Sequence, residues 1–243
     1  MHNKIFIMEK IPTVVFCIPG GTFSNHFLLS WTDTISNIIE LQKYKIIVSN
    51  HYTSHVHFVR AHCLGADVKS GPLQKPFQGK LDYDVIVWLD SDMVYNYKMI
   101  DELIESCLRK YPVVSGIYAM QGGTQLACVE DWNEKYYAET GSFEFLTLEK
   151  GEHLLKKGEK WIKCAYTGMG CMAIRKGIIE QLEYPWFFSN IKKIPTSNPL
   201  IPYITDGTSE DVSFIRNLID KCIIDGVMVN LGLRFGHVKT VIL

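Results

Sequence analysis

VIVWLDSDMV, residues 85–94, is an apolar run that ends in two aspartates one residue apart, Asp90 and Asp92. Its consecutive apolar residues predict a strand that is buried on both faces of a sheet. In open α/β folds, ligands bind beyond the carboxyl ends of the parallel strands. The stretch therefore predicts a buried strand that delivers two carboxylates to the binding edge of a mostly parallel sheet.

Two carboxylates this close repel each other unless a cation lies between them. Hard oxygen ligands suit Mg²⁺ or Mn²⁺, and Mg²⁺ commonly uses one or two carboxylates together with substrate phosphates. An aspartate at a strand end can instead bond to the local backbone in a turn. After a strand this apolar we favour the metal site, with Asp90 and Asp92 as ligands.

Strands alternate with helices in the first half, which predicts βαβ units and a parallel sheet. TVVFCI (13–18) and KIIVS (45–49) predict strands before the opening stretch, and VVSGIYAM (113–120) predicts one after it. Two sets of apolar residues recur at helical spacing. They are Leu28, Trp31, Ile35, Ile38 and Ile39, and Ile100, Leu103, Ile104, Cys107 and Leu108.

The second half is less regular. Residues 121–160 are polar and rich in turn residues, and the prolines within 184–208 predict a long surface loop. CMAI (171–174) predicts a strand after the tight turn TGMG (167–170). DVSFIRNLIDKC (211–222) predicts a helix. Its expected buried face consists of Val212, Ile215, Ile219 and Cys222.

The composition is that of an ordinary globular protein. The sequence has no internal repeat, low-complexity tract or linker, so we expect one domain, residues 1–243. A net charge of −1 gives no global field for nucleic acid or an anionic membrane, so we expect neither as a partner. No stretch approaches the ~18–20 apolar residues of a membrane helix, so we expect no membrane anchor. Seven scattered cysteines without CxxC spacing favour free thiols and a cytoplasmic location.

The order of these segments resembles that of GT-A nucleotide-sugar glycosyltransferases, whose DxD motif holds a divalent ion against the donor diphosphate. TVVFCIPGG (13–21) is similar to the first strand and turn that hold the nucleoside in that fold. The segments that resemble the family, which also include 167–182 and 208–238, span most of the chain in the expected order. The resemblance implies a donor half at about 11–120 and an acceptor half at about 121–243.

The resemblance also implies a donor site. Asp90 and Asp92 with His237 of the terminal Gly-His would bind Mn²⁺ or Mg²⁺, and UDP is the preferred nucleotide, with GDP second. The other residues expected at the nucleotide sugar are Pro19, Gly20, Arg60, Ser91 and Lys239, and Gly168 and Gly170 are expected to let the backbone approach the sugar. Arg60 and Lys239 can equally be surface residues, and the two glycines ordinary turn residues.

Ser209-Glu210-Asp211 lies at a predicted helix start, where the helix dipole favours carboxylates. By resemblance to inverting members of the fold, Asp211 would be the general base toward the acceptor hydroxyl, and Glu210 would grip acceptor or donor. Thr208-x-x-Asp211 also fits a pattern like a capping box. The acceptor would be a glycan or glycoprotein, and Trp132, Tyr136 and Tyr137 are candidates either to stack on it or to lie in the core.

Two other functions compete with this interpretation. DSDMV also fits the nucleophile motif of haloacid-dehalogenase-like phosphatases, in which Asp90 would be the nucleophile. That motif normally ends the first strand of its fold, whereas a strand–helix–strand unit precedes it here. The second alternative is a protein of the same fold that binds nucleotide or glycan without turnover.

Overall fold

A seven-stranded sheet lies at the centre of the fold. The computed structural model describes residues 10–239. The strands are β1 (Thr13–Pro19), β2 (Lys45–His51), β3 (Val85–Leu89), β4 (Met93–Val94), β5 (Val113–Ile117), β6 (Gln125–Val129), β7 (Phe145–Thr147), β8 (Trp161–Cys164), β9 (Tyr166–Thr167), β10 (Cys171–Arg175), β11 (Ile191–Pro195), β12 (Tyr203–Gly207), β13 (Val227–Arg234) and β14 (Gly236–His237). The helices are α1 (Asn25–Leu41), α2 (Val56–Cys63), α3 (Tyr97–Arg109), α4 (Glu134–Thr140), α5 (Leu148–Lys156) and α6 (Glu210–Asp220).

The central sheet has the order β2-β1-β3-β10-β5-β13-β8. Strands β2, β1 and β3 are parallel, as are β5 and β13, while β10 runs antiparallel to both β3 and β5. Edge strand β8 is antiparallel to β13. Buried residues of α1 and α3 pack on one face, and those of α2 and α6 pack on the other. The predicted α/β class, a mostly parallel sheet flanked by helices, is confirmed.

Strand β3 is buried along its whole length, as the opening stretch predicted. Its residues alternate between the two cores: Val87 packs with the α1 and α3 side, and Trp88 with the α2 and α6 side. The chain leaves the sheet at Asp90, whose amide donates to the Gly170 carbonyl at 3.1 Å. Because β10 is antiparallel to β3, the TGMG turn that precedes β10 lies at the same edge.

The predicted buried face of α1 is wrong in part. The buried residues are Phe27, Ser30, Thr34 and Ile38. Leu28 is 59% exposed and Ile39 is 65% exposed, although both were expected inside. Ser30 is turned inward because its hydroxyl accepts a hydrogen bond from the Tyr95 amide at 3.1 Å. A count of apolar residues cannot detect a face that includes such small polar contacts. The second set, on α3, is buried as expected apart from Leu108, which is half-buried.

Residues 184–208 are not one long loop, which corrects the prediction. They contain the hairpin of β11 and β12, with Ile194 opposite Ile204. Pro195 ends β11, and a proline is tolerated there because this two-stranded sheet has free edges that need no donor. The proline count therefore indicated a loop where the chain forms an edge hairpin.

The inner face of α6 also differs from the prediction. Phe214, Ile215 and Leu218 are buried, whereas Val212 and Ile219 are half-buried and Cys222 is exposed. All seven cysteines lie within residues 10–239 and are free thiols. Within this same range, none of the helices is long and apolar enough to cross a membrane.

We expect Gly116→Ala in β5 to destabilise the protein by about 1–3 kcal/mol, because a full core must shift to admit a methyl group. A Cβ at Gly116 would lie 2.5 Å from the Phe235 ring and 2.8 Å from the Leu233 carbonyl oxygen. Gly207→Ala is the control, since nothing lies within 4 Å of its added Cβ. Urea unfolding measures both variants, and an equal loss would contradict the expected close packing at β5.

Candidate functional site

Arg60 on α2 lies at the centre of the site and is only 3% exposed. Its Nε donates to Glu210 Oε1 at 3.0 Å, and its Nη2 donates to Asp90 Oδ1 at 3.1 Å. The guanidinium carbon lies 5.4 Å from the centre of the Trp88 ring. Arg60 was predicted at the nucleotide or on the surface, and the structure buries it between two carboxylates. It thereby joins the end of β3 to the first turn of α6.

The charge around Arg60 is unbalanced. Burial opposes its positive charge, but Asp90, Glu210 and Asp211 together raise the pKa of Arg60 above its ordinary value. Three carboxylates therefore share one buried guanidinium. This excess of negative charge makes the edge of the sheet favourable for a cation.

Asp92, the second aspartate of the motif, bonds to His237 and Lys239 instead of Arg60. His237 Nε2 lies 3.1 Å from Asp92 Oδ2, and Lys239 Nζ donates to the same oxygen at 3.2 Å. Pairing of β14 with β4 sets His237 opposite Met93, which brings the imidazole to the motif. Burial works against the charge of Asp92, yet the hydrogen bond with His237 lowers the pKa of Asp92 below its ordinary value. The same bond raises the pKa of His237.

Both ring nitrogens of His237 face acceptors. His237 Nδ1 lies 3.0 Å from the Ala119 carbonyl oxygen, and Nε2 faces the Asp92 carboxylate. A carbonyl oxygen and an ionised carboxylate only accept, so both nitrogens carry a proton and His237 is a cation paired with Asp92. Loss of the Nε2 proton would leave Nδ1 bonded to the carbonyl and Nε2 able to ligate a metal.

The predicted metal ligands do not converge on one point. Among residues 10–239, no group of three or more His, Cys, Asp or Glu side chains is placed to hold a metal ion. The Asp90 carboxylate is bonded to Arg60, and the Asp92 carboxylate to His237 and Lys239. The donor chemistry nevertheless fits a divalent cation: two carboxylate side chains, 30% and 37% exposed, and an imidazole whose Nδ1 is held by the Ala119 carbonyl.

Asp211 lies in the first turn of α6, as predicted. Its Oδ2 accepts from the Tyr166 hydroxyl at 3.0 Å, and its Oδ1 accepts from the Val212 amide at 2.8 Å and from the Ser209 hydroxyl. Burial, followed by the nearby Asp211 charge, raises the pKa of Tyr166, so the phenol remains a neutral donor. The structure thus holds one half-buried carboxylate in a fixed orientation.

The capping-box interpretation of Thr208 and Asp211 is wrong. The residue that precedes α6 as its N-cap is Ser209. The Thr208 hydroxyl donates to the Asn190 carbonyl at 3.1 Å and lies 2.5 Å from the Ser213 hydroxyl. Asp211 instead bonds the α6 start through Oδ1, which accepts from the Val212 amide, while Oδ2 accepts from Tyr166.

The turn after β1 lies against the aspartate motif. Gly20, which follows Pro19, has φ +149°, and a Cβ there would lie 2.7 Å from the Ser91 hydroxyl. Its amide donates to the His51 carbonyl at 3.0 Å. This contact brings three predicted nucleotide-site residues, Pro19, Gly20 and Ser91, to one place. It also explains why only glycine suits position 20.

Tyr118 occupies the space above both predicted substrate-site glycines. A Cβ at Gly168 would lie 2.0 Å from the Tyr118 hydroxyl, and one at Gly170 would lie 3.1 Å from its ring. The Tyr118 ring also meets the His237 ring edge-on, with centroids 5.1 Å apart. The absence of a side chain at Gly168 and Gly170 therefore leaves room for the Tyr118 ring.

Tyr118 and Tyr166 were missed in the sequence. Tyr118 lies one residue beyond Ile117, the last residue of β5, at the edge where parallel strands present their ligands. The strand-end rule that singled out Asp90 would have found it. Tyr166 carries no comparable signal, because its contact with Asp211 spans 45 residues.

Comparison with known proteins gives matches in structure alone. No family model matches the chain, and no curated protein matches it. One similar structure is glucosyl-3-phosphoglycerate synthase from Mycobacterium tuberculosis in complex with Mn²⁺, UDP-glucose and phosphoglyceric acid, with 14% identity over 95% of this chain and 73% of that chain and a TM-score of 0.45. A protein from STIV is 16% identical over 90% of this chain and 81% of its own, with a TM-score of 0.45. A glycosyltransferase involved in glycosylation of the major capsid of PBCV-1 is 11% identical over 95% of this chain and 96% of its own, with a TM-score of 0.37.

We expect Arg60→Met to cost about 3–5 kcal/mol of unfolding free energy, because it leaves the buried Glu210 carboxylate without its partner. Adding Glu210→Gln should recover part of the loss, since the second change removes the unpaired charge. Arg234→Met is the matched control: its ion pair with Glu152 is solvent-exposed and contributes less than about 1 kcal/mol. Urea unfolding measures all three proteins, and similar losses for Arg60→Met and Arg234→Met would refute the structural role of Arg60.

Proposed function

We propose that the chain is a GT-A-like glycosyltransferase that moves a sugar from a nucleoside diphosphate sugar to an acceptor hydroxyl. The observation that carries the proposal is the placement of Arg60, which holds Asp90 at the carboxyl edge of the sheet and Glu210 at the start of α6. Asp92 and His237 lie at that same strand end, and Asp211 follows Glu210. Groups suited to a donor and groups suited to an acceptor thus meet at one edge.

On the donor side, Asp90, Asp92 and His237 would hold Mn²⁺ or Mg²⁺. When bound, the ion supplies Lewis acidity that stabilises the departing diphosphate. Lys239 adds a positive charge beside Asp92, and the turn at Gly20 and Ser91 would receive the nucleotide. UDP is our preferred nucleotide and GDP the second.

On the acceptor side, Asp211 is the proposed general base. It would take the proton of the attacking hydroxyl, and Tyr166 and the Val212 amide hold its carboxylate in orientation. Direct attack assisted by this base gives inversion at the anomeric carbon. Glu210 is bonded to Arg60, and we propose that it steadies the same helix turn beside the sugar.

Several broader predictions belong to this proposal. The donor half is residues 11–120 and the acceptor half is residues 121–243, within a single domain. The transferred group is a hexose or a pentose, and the acceptor is a glycan or glycoprotein. The expected location is the cytoplasm.

We expect one nucleoside diphosphate to stabilise the protein only in the presence of metal. Thermal unfolding is followed with UDP, GDP, CDP and dTDP, each with Mn²⁺ and again with EDTA. A ligand at ~100 times its dissociation constant adds about 2.7 kcal/mol. Asp92→Ala should abolish the stabilisation, whereas Asp225→Ala should retain it, since Asp225 lies in an exposed pair with Lys163.

Failure of every nucleotide to stabilise the protein at millimolar concentration would refute the donor site. Hydrolysis of a phosphoester that Asp90→Asn abolishes would support the phosphatase alternative instead. Nucleotide binding without product, across panels of donors and acceptors, would indicate a binding protein without turnover.

We expect Asp211→Asn to lower the transfer rate by about 100- to 10,000-fold, the range typical of a lost general base. Metal-dependent stabilisation by nucleotide should persist in this variant. Asp225→Asn is the control, because Asp225 forms an exposed ion pair with Lys163 outside the site and should leave the rate unchanged. NMR of the product reports its anomeric configuration, and retention would contradict Asp211 as the base of an inverting reaction.

A further inference from the structure

A cavity of about 190 Å³ lies between α4, the β11–β12 hairpin and the start of α6. Its walls combine aromatic rings with polar and charged side chains. The residues that matter to its chemistry are Trp132, Tyr137, Phe143, Lys192, Asp206 and Ser209. Trp132 and Tyr137 are the aromatic residues expected either at the acceptor or in the core, and Ser209 bonds to the proposed base.

The aromatic wall is a packed set of three half-buried rings. The centroids of Trp132 and Phe143 are 4.0 Å apart with planes at 29°, and those of Tyr137 and Phe143 are 4.7 Å apart at 36°. The guanidinium carbon of Arg216 lies 4.8 Å from the Trp132 ring centre. These contacts hold the rings in place, so the wall is formed before any ligand arrives.

The charged groups that line the cavity balance each other. The Tyr137 hydroxyl donates to Asp206, which fixes that carboxylate at the cavity. Lys192 is half-buried and forms no ion pair with any of residues 10–239, the part of the chain that is described. One carboxylate and one ammonium group give no net charge to attract an anion. They offer one acceptor and one donor to a neutral ligand that carries hydroxyl groups.

The cavity reaches the proposed base through two residues. Ser209 lines the cavity, and its hydroxyl donates to the Asp211 carboxylate. Val212, whose amide bonds to the same carboxylate, also lines the cavity. A ligand in the cavity would therefore lie beside the first turn of α6.

We propose that this cavity binds a sugar ring of the acceptor, with the apolar face of the ring on the aromatic wall and its hydroxyls at Lys192 and Asp206. This inference rests on the proposed transferase function, and it names the acceptor class as a neutral saccharide. A pyranose ring presents C–H groups on its faces and hydroxyls around its rim. An aromatic wall with a polar border matches both. A small anionic acceptor would need an excess of cationic groups, which the cavity does not have.

Saccharide binding is tested by saturation-transfer NMR on the full chain. The probes are the methyl glycosides of glucose, galactose, mannose, xylose and N-acetylglucosamine at millimolar concentration, with 3-phosphoglycerate as an anionic probe. Tyr137→Ala removes one ring of the wall and the partner of Asp206. Tyr136→Ala is the matched control, because the adjacent Tyr136 lies on the same helix and lines a different surface depression.

We expect saturation of the ring protons of at least one glycoside in the wild-type protein and in Tyr136→Ala. Tyr137→Ala should weaken that glycoside about fivefold or more, consistent with a lost aromatic contact of about 1 kcal/mol. Nucleotide-dependent stabilisation should be equal in all three proteins, which also shows that the variants are folded.

Three results would overturn the inference. They are no saturation of any glycoside, equal binding by Tyr137→Ala and Tyr136→Ala, and binding of 3-phosphoglycerate alone with loss in Lys192→Ala. Each can occur while nucleotide and metal still stabilise the protein, so failure of the acceptor class is distinguishable from failure of the transferase proposal. Saccharide binding without any nucleotide effect would overturn the acceptor role, since the cavity would then belong to a protein that only binds glycans.

Discussion

The site depends on one buried cation. Arg60 is almost completely excluded from solvent, and a guanidinium in that position requires carboxylate partners. It finds them on two elements that are distant in sequence, Asp90 after β3 and Glu210 at the start of α6. The pairing fixes the distance between the edge of the sheet and the helix.

The reversed strand β10 extends the same edge. In a fully parallel sheet, the TGMG turn before β10 would lie at the opposite end from Asp90. Because β10 runs antiparallel between β3 and β5, Gly170 bonds to the Asp90 amide, and the Tyr118 ring, just after β5, packs on the turn. Tyr166, just upstream of the turn, reaches Asp211. One reversed strand thus connects the aspartate motif with the proposed base.

Sequence pattern predicted the features that depend on residues close together in the chain. The apolar run of β3 and the carboxylates that follow it, the helix start at Glu210 and Asp211, and the α/β class were all visible in the sequence. The buried face of α1 was not visible in the sequence, because Ser30 is buried through a hydrogen bond that hydrophobic periodicity does not detect. Nor was the burial of Arg60, since its contact with Glu210 spans 150 residues and depends on the order of strands in the sheet.

The pairing of β14 with β4 is expected to form late in folding. His237 and Asp92 are 145 residues apart in the chain, and closing so long a loop costs entropy that only the packed sheet can offset. The β1–α1–β2 unit and β3 can associate through much shorter loops, whereas β14 follows β13 and needs that strand in register with β5. Contacts of such long range form late. A ligand that requires both Asp92 and His237 would therefore select the finished protein, and could not serve as a template for its early intermediates.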